Sequence, residues 1–145
     1  MSTWDDVDRI CLALPETTAV RAREERRQWL VRDKLFVWER PLRPRDLAEL
    51  GMTTQEGPVL GARVPDEGAK AALIAEDPAV FFTTAHFHGY PAVLCRLDRI
   101  DQAALTELAG EAWACRAPRR LVAQHFPPPS PSPSPSPSPS DRSTP

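Results

Sequence analysis

The sequence predicts an α+β domain, an antiparallel sheet packed with N- and C-terminal helices, over residues 1–126. Three observations carry this. Apolar residues recur at three- and four-residue spacing near both ends of that stretch. Between them lie short runs rich in β-branched and aromatic residues. Most of these runs are joined by connections too short for a parallel crossover.

In order, Trp4, Val7, Ile10, Cys11 and Leu14 share one face of a first helix. Thr3 is its cap, Asp5 and Asp6 favour its positive end, and Pro15 stops it. Glu16–Arg27 reads as a polar connection. Trp29 and Val31 alternate with polar neighbours, and Leu35-Phe36-Val37-Trp38 is apolar throughout. Together they read as a hairpin turning at Asp33-Lys34, its second strand buried on both faces. A short helix covers Pro44–Leu50, stopped by Gly51. Residues 52–58 form a loop, and Val59–Val64 a strand. Asp66 starts a helix that Asp77-Pro78 ends. Val80–Thr83 and Ala92–Leu97 are strands, separated by the segment His86-Phe87-His88-Gly89-Tyr90-Pro91. Asp101 caps a strong helix with Leu105, Leu108, Ala109, Ala112 and Trp113 on one face. Pro118 opens a final turn or two.

Residues 127–145 read differently. The Pro-Ser pair repeats six times from Pro129 to Ser140. Proline removes hydrogen-bond donors and serine has nothing apolar to bury, so a disordered, extended tail is expected. Asp141 and Arg142 cancel, so this segment adds no net charge.

The formal charge of −2 argues against a surface that coats nucleic acid everywhere; any such site must be local. The three cysteines are widely spaced, with no CxxC pair, which fits free thiols in a reducing cytoplasm. The acidic start lacks an apolar signal-peptide core, and no apolar run approaches the ~20 residues that span a bilayer. A soluble cytoplasmic protein is expected, with no membrane partner.

Three chemistries come into question. His86 and His88 would share a face if extended, but zinc needs three or four ligands and no further ligand stands at a metal spacing. No metal or cofactor site is expected. No nucleophile elbow, Cys/His motif or phosphate-binding glycine loop occurs, so no catalytic residue is assigned. The strongest signal is a basic stretch: Arg21, Arg23, Arg26, Arg27, Arg32, Lys34, Arg40, Arg43 and Arg45. These nine stand against Glu24, Glu25, Asp33 and Glu39. Arginine beside Trp29 and Trp38 suits phosphate contact with base stacking; the bland alternative is a solvated face with internal ion pairs. A separate candidate is the loop His86–Pro91, with His86, His88 and Tyr90 able to recognise a protein or small ligand.

Several segments together resemble the YjbR/MmcQ family. They are Trp4-Asp5-Asp6-Val7 with Leu12-Ala13-Leu14-Pro15, Phe36-Val37-Trp38-Glu39-Arg40-Pro41, and the run from Phe81 through His86-Phe87-His88-Gly89-Tyr90. Ala92-Val93-Leu94, Ala112-Trp113 and Ala117-Pro118 complete the set. The resemblance implies a frataxin-like (CyaY-like) fold and a small non-enzymatic DNA-binding protein. It assigns no DNA-contacting residue by position.

Overall fold

Thr3 caps the first helix, α1 (Trp4–Leu12), reciprocally: its hydroxyl accepts from the Asp6 amide at 3.3 Å, and the Asp6 carboxylate accepts from the Thr3 amide at 2.9 Å. The structure is a computed structural model that describes residues 1–126. The expected disorder of 127–145 lies outside the described residues. The other helices are α2 (Pro44–Glu49), α3 (Glu67–Glu76), α4 (Gln102–Arg116) and α5 (Arg119–His125). Asp66 and Asp101 cap α3 and α4, accepting from the amides of Ala69 at 2.8 Å and Ala104 at 2.7 Å. Gly51, at φ +72°, follows α2 in the left-handed conformation that glycine tolerates.

The strands are β1 (Thr17–Arg21), β2 (Arg27–Val31), β3 (Lys34–Glu39), β4 (Val59–Arg63), β5 (Phe81–Phe82) and β6 (Ala92–Arg96). They form one antiparallel sheet in the order β1-β2-β3-β4-β6-β5. The architecture is therefore α+β, as the residue pattern predicts.

Two local expectations need correction. The first is β1, which lies inside the polar connection. It is an edge strand whose side chains are almost all exposed, so no apolar alternation marks it. Its β-branched Thr17, Thr18 and Val20 were the available signal. Secondly, the β2–β3 turn is Arg32-Asp33, one residue earlier than expected, with φ of 47° and 68°. Two left-handed residues match the twist of a two-residue hairpin. The expected placement of β3 side chains on both faces holds, but a bulge breaks their alternation. Trp29 pairs with Val37 but Leu30 pairs with Leu35, so Phe36 is an extra residue in a bulge. Phe36 and Val37 consequently enter the same core, while Leu35 and Trp38 face the other side.

The main core lies between the sheet and helices α1 and α4. Val7, Ile10, Trp29, Phe36, Leu60, Val93, Leu105 and Trp113 meet there, with Cys11 and Cys95 among them. Buried indoles keep their polar handles satisfied: Trp29 Nε1 donates to Asp8 at 3.0 Å and Trp113 Nε1 to the Pro15 carbonyl at 3.0 Å. A smaller core lies on the opposite face, where Val59, Phe82, Phe87, Ala92 and Leu94 pack with Trp38, Leu42 and Leu50.

Gly61 in β4 joins these faces to the site below. A Cβ there would stand 2.4 Å from Cε2 and Nε1 of Trp38, so the indole lies directly on the glycine backbone. Gly61→Ala is expected to displace Trp38 and lower stability by about 1–3 kcal/mol, as overpacking does. Urea unfolding read by tryptophan fluorescence checks both effects.

Candidate functional site

Trp38 is the floor of a cleft of about 500 Å³ on the second face of the sheet. Leu35 and Gln28 extend the floor along β3 and β2. The connection between β1 and β2 makes one lip. There Glu24 and Glu25 both adopt positive φ, 59° and 62°, and the tight loop carries Arg23 and Arg26 to the opening. The start of α2 supplies Arg43, and the end of β3 supplies Glu39 and Arg40. His86, Phe87 and Tyr90 close the other side.

Two buried polar anchors hold these parts. Arg40 and Asp46 form an ion pair of 3.0 Å, with side chains only 7% and 5% exposed. Asp46 also accepts from the Arg43 amide at 2.9 Å, which ties the start of α2 to the cleft wall. Burial pushes the Asp46 carboxyl up, but the Arg43 amide and the Arg40 charge outweigh it and hold the group below its ordinary value. Burial lowers the Arg40 guanidinium; Asp46 opposes that shift, and Arg43 and Arg26 add to it. The guanidinium sits 5.3 Å from the centroid of Phe87.

The second anchor is Lys70, a buried lysine on α3. Its ammonium donates to the carbonyls of Phe87 at 2.7 Å and Tyr90 at 3.0 Å, and faces Glu67 at 3.5 Å. Both carbonyls belong to the 84–91 segment, which is a short 3₁₀ turn (Ala85–Phe87) and loop rather than a strand. Phe87 turns inward while His86, His88 and Tyr90 are exposed. Tyr90 is also held by Arg63, which donates to its hydroxyl at 2.7 Å.

The nine basic candidates separate. Arg23, Arg26, Arg40 and Arg43 line the cleft, and Arg45 lines an adjoining recess of about 440 Å³ that shares Arg40, Arg43 and His86. Arg21 and Arg27 face the α1 side, the Arg27 guanidinium lying 5.5 Å from the Trp4 ring. Lys34 pairs with the core residue Val31 and shares its face of the sheet. Arg32 sits at the hairpin turn, its NH2 group donating to Glu16 at 3.1 Å. Carboxylates also engage Arg21 (Glu25, 3.6 Å), Arg26 (Glu24, 3.3 Å) and Arg27 (Glu39, 3.4 Å). The loop candidates divide as well: His86 and Tyr90 line the cleft, whereas His88 lines a separate recess beside Glu49, Glu67 and Lys70. The two sequence-derived sites thus share one concavity.

Among the described residues no group of three or more His, Cys, Asp or Glu side chains could hold a metal ion. Desolvation raises all three thiols, Cys95 to about 12, so they are protonated at neutral pH. Among the described residues no helix is long and apolar enough to cross a membrane.

The YjbR family model matches residues 12–115, which span every strand and the cleft. The chain belongs to the YjbR family. Curated YjbR relatives include uncharacterized proteins of Mycobacterium tuberculosis and Mycobacterium bovis. Each is 50% identical over 125 residues, covering 84% of this chain and 94% of the relative. The crystal structure of Deinococcus radiodurans protein DR2400, a DUF419 domain, shares the fold with a TM-score of 0.57. It is 18% identical, with 78% of this chain and 77% of that chain covered.

Residue patterns did not expose Asp46, Lys70 or Gly61 as supports of this cleft. Lys70 carried one weak signal, being one of two lysines in a chain that otherwise uses arginine. Asp46→Ala is expected to cost about 3–5 kcal/mol, because it strands a buried guanidinium. The Asp46 carboxylate has a folded pKa below its ordinary 3.8, so its stabilisation is complete above that value and is lost as pH falls through the folded pKa. Urea unfolding between about pH 5 and pH 3 should show a smaller acid loss for Asp46→Asn than for the wild type. Lys70→Met takes the ammonium away from two carbonyls and leaves each with one backbone donor, the Tyr90 amide on Phe87 at 3.0 Å and the Ala92 amide on Tyr90 at 2.7 Å; a loss of about 1–3 kcal/mol and faster amide exchange at His88 and Gly89 are expected.

Proposed function

We propose that the protein binds DNA, without acting on it chemically, through the cleft between the β1–β2 loop, the start of α2 and the 84–91 loop. One observation carries this reading: Arg23, Arg26, Arg40 and Arg43 converge on a single concavity floored by Trp38. Guanidinium groups pair well with phosphate, and an indole offers a stacking surface to any base. The binding surface is narrower than the whole 21–45 stretch, because Arg21, Arg27 and Arg32 point elsewhere and carry their own carboxylates. Recognition through phosphate and stacking is weakly sequence-specific. The reading is of a non-enzymatic protein: the thiols are protonated, and no nucleophile and base are paired among the cleft residues Arg23, Arg26, Glu39, Arg40, Arg43 and His86. Three free cysteines fit a reducing cytoplasm.

A second reading is favoured by the concavity itself. Its volume falls within the ~300–1,000 Å³ typical of small-molecule sites, which suits a free anionic ligand held by the same arginines and by His86 and Tyr90.

Fluorescence anisotropy with labelled DNA over a salt series tests the first reading. Affinity should fall steeply between about 50 and 200 mM salt. Arg23→Ala with Arg26→Ala should weaken binding and make the salt slope shallower by about one for each phosphate no longer neutralised. Arg32→Ala, on the hairpin turn, should change neither. Absence of binding at about 50 mM salt, where screening is weak, sinks the DNA reading. A thermal shift with inorganic phosphate or a nucleoside monophosphate, without DNA binding, would favour the second.

A further inference from the structure

Depth and floor distinguish this cleft from a flat basic patch. We infer that it takes one unpaired nucleotide of a DNA strand, its base lying on Trp38 and its phosphate held by Arg23 and Arg43. This deepens the DNA reading and rests on it.

The floor comes first. Trp38 lies on Gly61 so closely that a Cβ would come within 2.4 Å of the indole, which fixes one face against backbone. The ring also lines the cleft. A ring already immobilised loses little freedom when a base stacks on it. Phe87, 6.5 Å from Trp38 between centroids, is buried in the wall, and the exposed Tyr90, 6.2 Å from Phe87, stands beyond it.

The charges come next. Arg40 is committed to Asp46 at 3.0 Å and rests against Phe87, so it is part of the wall. Arg26 is engaged by Glu24 at 3.3 Å. Arg23 and Arg43 are exposed, and among the described residues no carboxylate pairs with either. They approach the opening from different elements, one from the β1–β2 loop and one from the start of α2.

Duplex DNA cannot use this arrangement fully. Its base faces are buried in its own stack, and it offers a protein only phosphates and base edges. An indole floor is reached by a base that has left the stack. The adjoining recess with Arg45 gives a place to a neighbouring phosphate, which a strand has and a free mononucleotide lacks.

The test titrates the full chain, at about 50 mM salt, with a short mixed-sequence single strand, with its duplex, and with a deoxynucleoside monophosphate. The single strand is expected to bind about tenfold or more tightly than either of the others and to quench tryptophan emission. Trp38→Phe keeps an aromatic floor, so it should retain the affinity within about threefold while losing most of the quench. Trp38→Ala should weaken single-strand binding roughly 5- to 150-fold, the range that loss of one base stack gives. Trp38→Phe also keeps the test decisive if the alanine variant fails to fold. Equal affinity for duplex and single strand, with the quench persisting in Trp38→Phe, overturns the inference and leaves DNA binding through the cleft standing. A monophosphate bound as tightly as the strand overturns it and assigns the cleft to a free nucleotide. If no DNA form binds, both readings fall together.

Discussion

The central strands β3, β4 and β6 carry apolar side chains on both faces, so both faces of the sheet must be covered. Helices α1 and α4 cover one face. On the other, the short α2 and the 84–91 loop provide the cover, and a loop brings a difficulty that a helix does not. Its backbone polar groups have no regular ladder and lose water when they are buried. Lys70 meets that need at Phe87 and Tyr90, and Glu49 accepts from the Ala85 amide at 2.9 Å. The cover is secure but short, and the cleft is the part of the sheet it leaves open. Cleft and second core therefore share one origin: Phe87 is the plug of the core and the wall of the site.

Much of the fold was legible because local signals agreed with one another. Thr3, Asp66 and Asp101 were visible as caps and act as caps; Gly51 and Pro118 were visible as punctuation and serve so. The missed strand β1 shows the limit of periodicity. An edge strand with exposed faces buries too little to impose a pattern on its residues. The bulge at Phe36 was hidden for a different reason, since pairing register belongs to two strands together and neither sequence specifies it alone.

The site was legible only in part. Arg23, Arg26, Arg40, Arg43, His86 and Tyr90 were all candidates, yet they belonged to two separate proposals until the chain folded. Proximity in sequence overstated the basic face. Arg26 belongs to the loop that precedes β2 and Arg27 is the first residue of the strand, so the two neighbours line different clefts. Conversely, the anchors Asp46 and Lys70 sit in stretches that read as ordinary helix surface. A buried charge is recognisable only once its partner is placed beside it, and those partners lie 6 residues away for Asp46 and 17 and 20 for Lys70.

The bulge in β3 has a consequence for how such a cleft is compared between related chains. An unbroken strand repeats its facing every second residue, and a helix nearly every third or fourth. Here Leu35 and Trp38 stand three apart and line the same wall, because Phe36 resets the parity of the strand between them. A strand can thus mimic helical spacing across a single irregular position. Losing that one residue would exchange the inward and outward sets on one side of it, turning part of the floor to the opposite side without altering any side chain's chemistry.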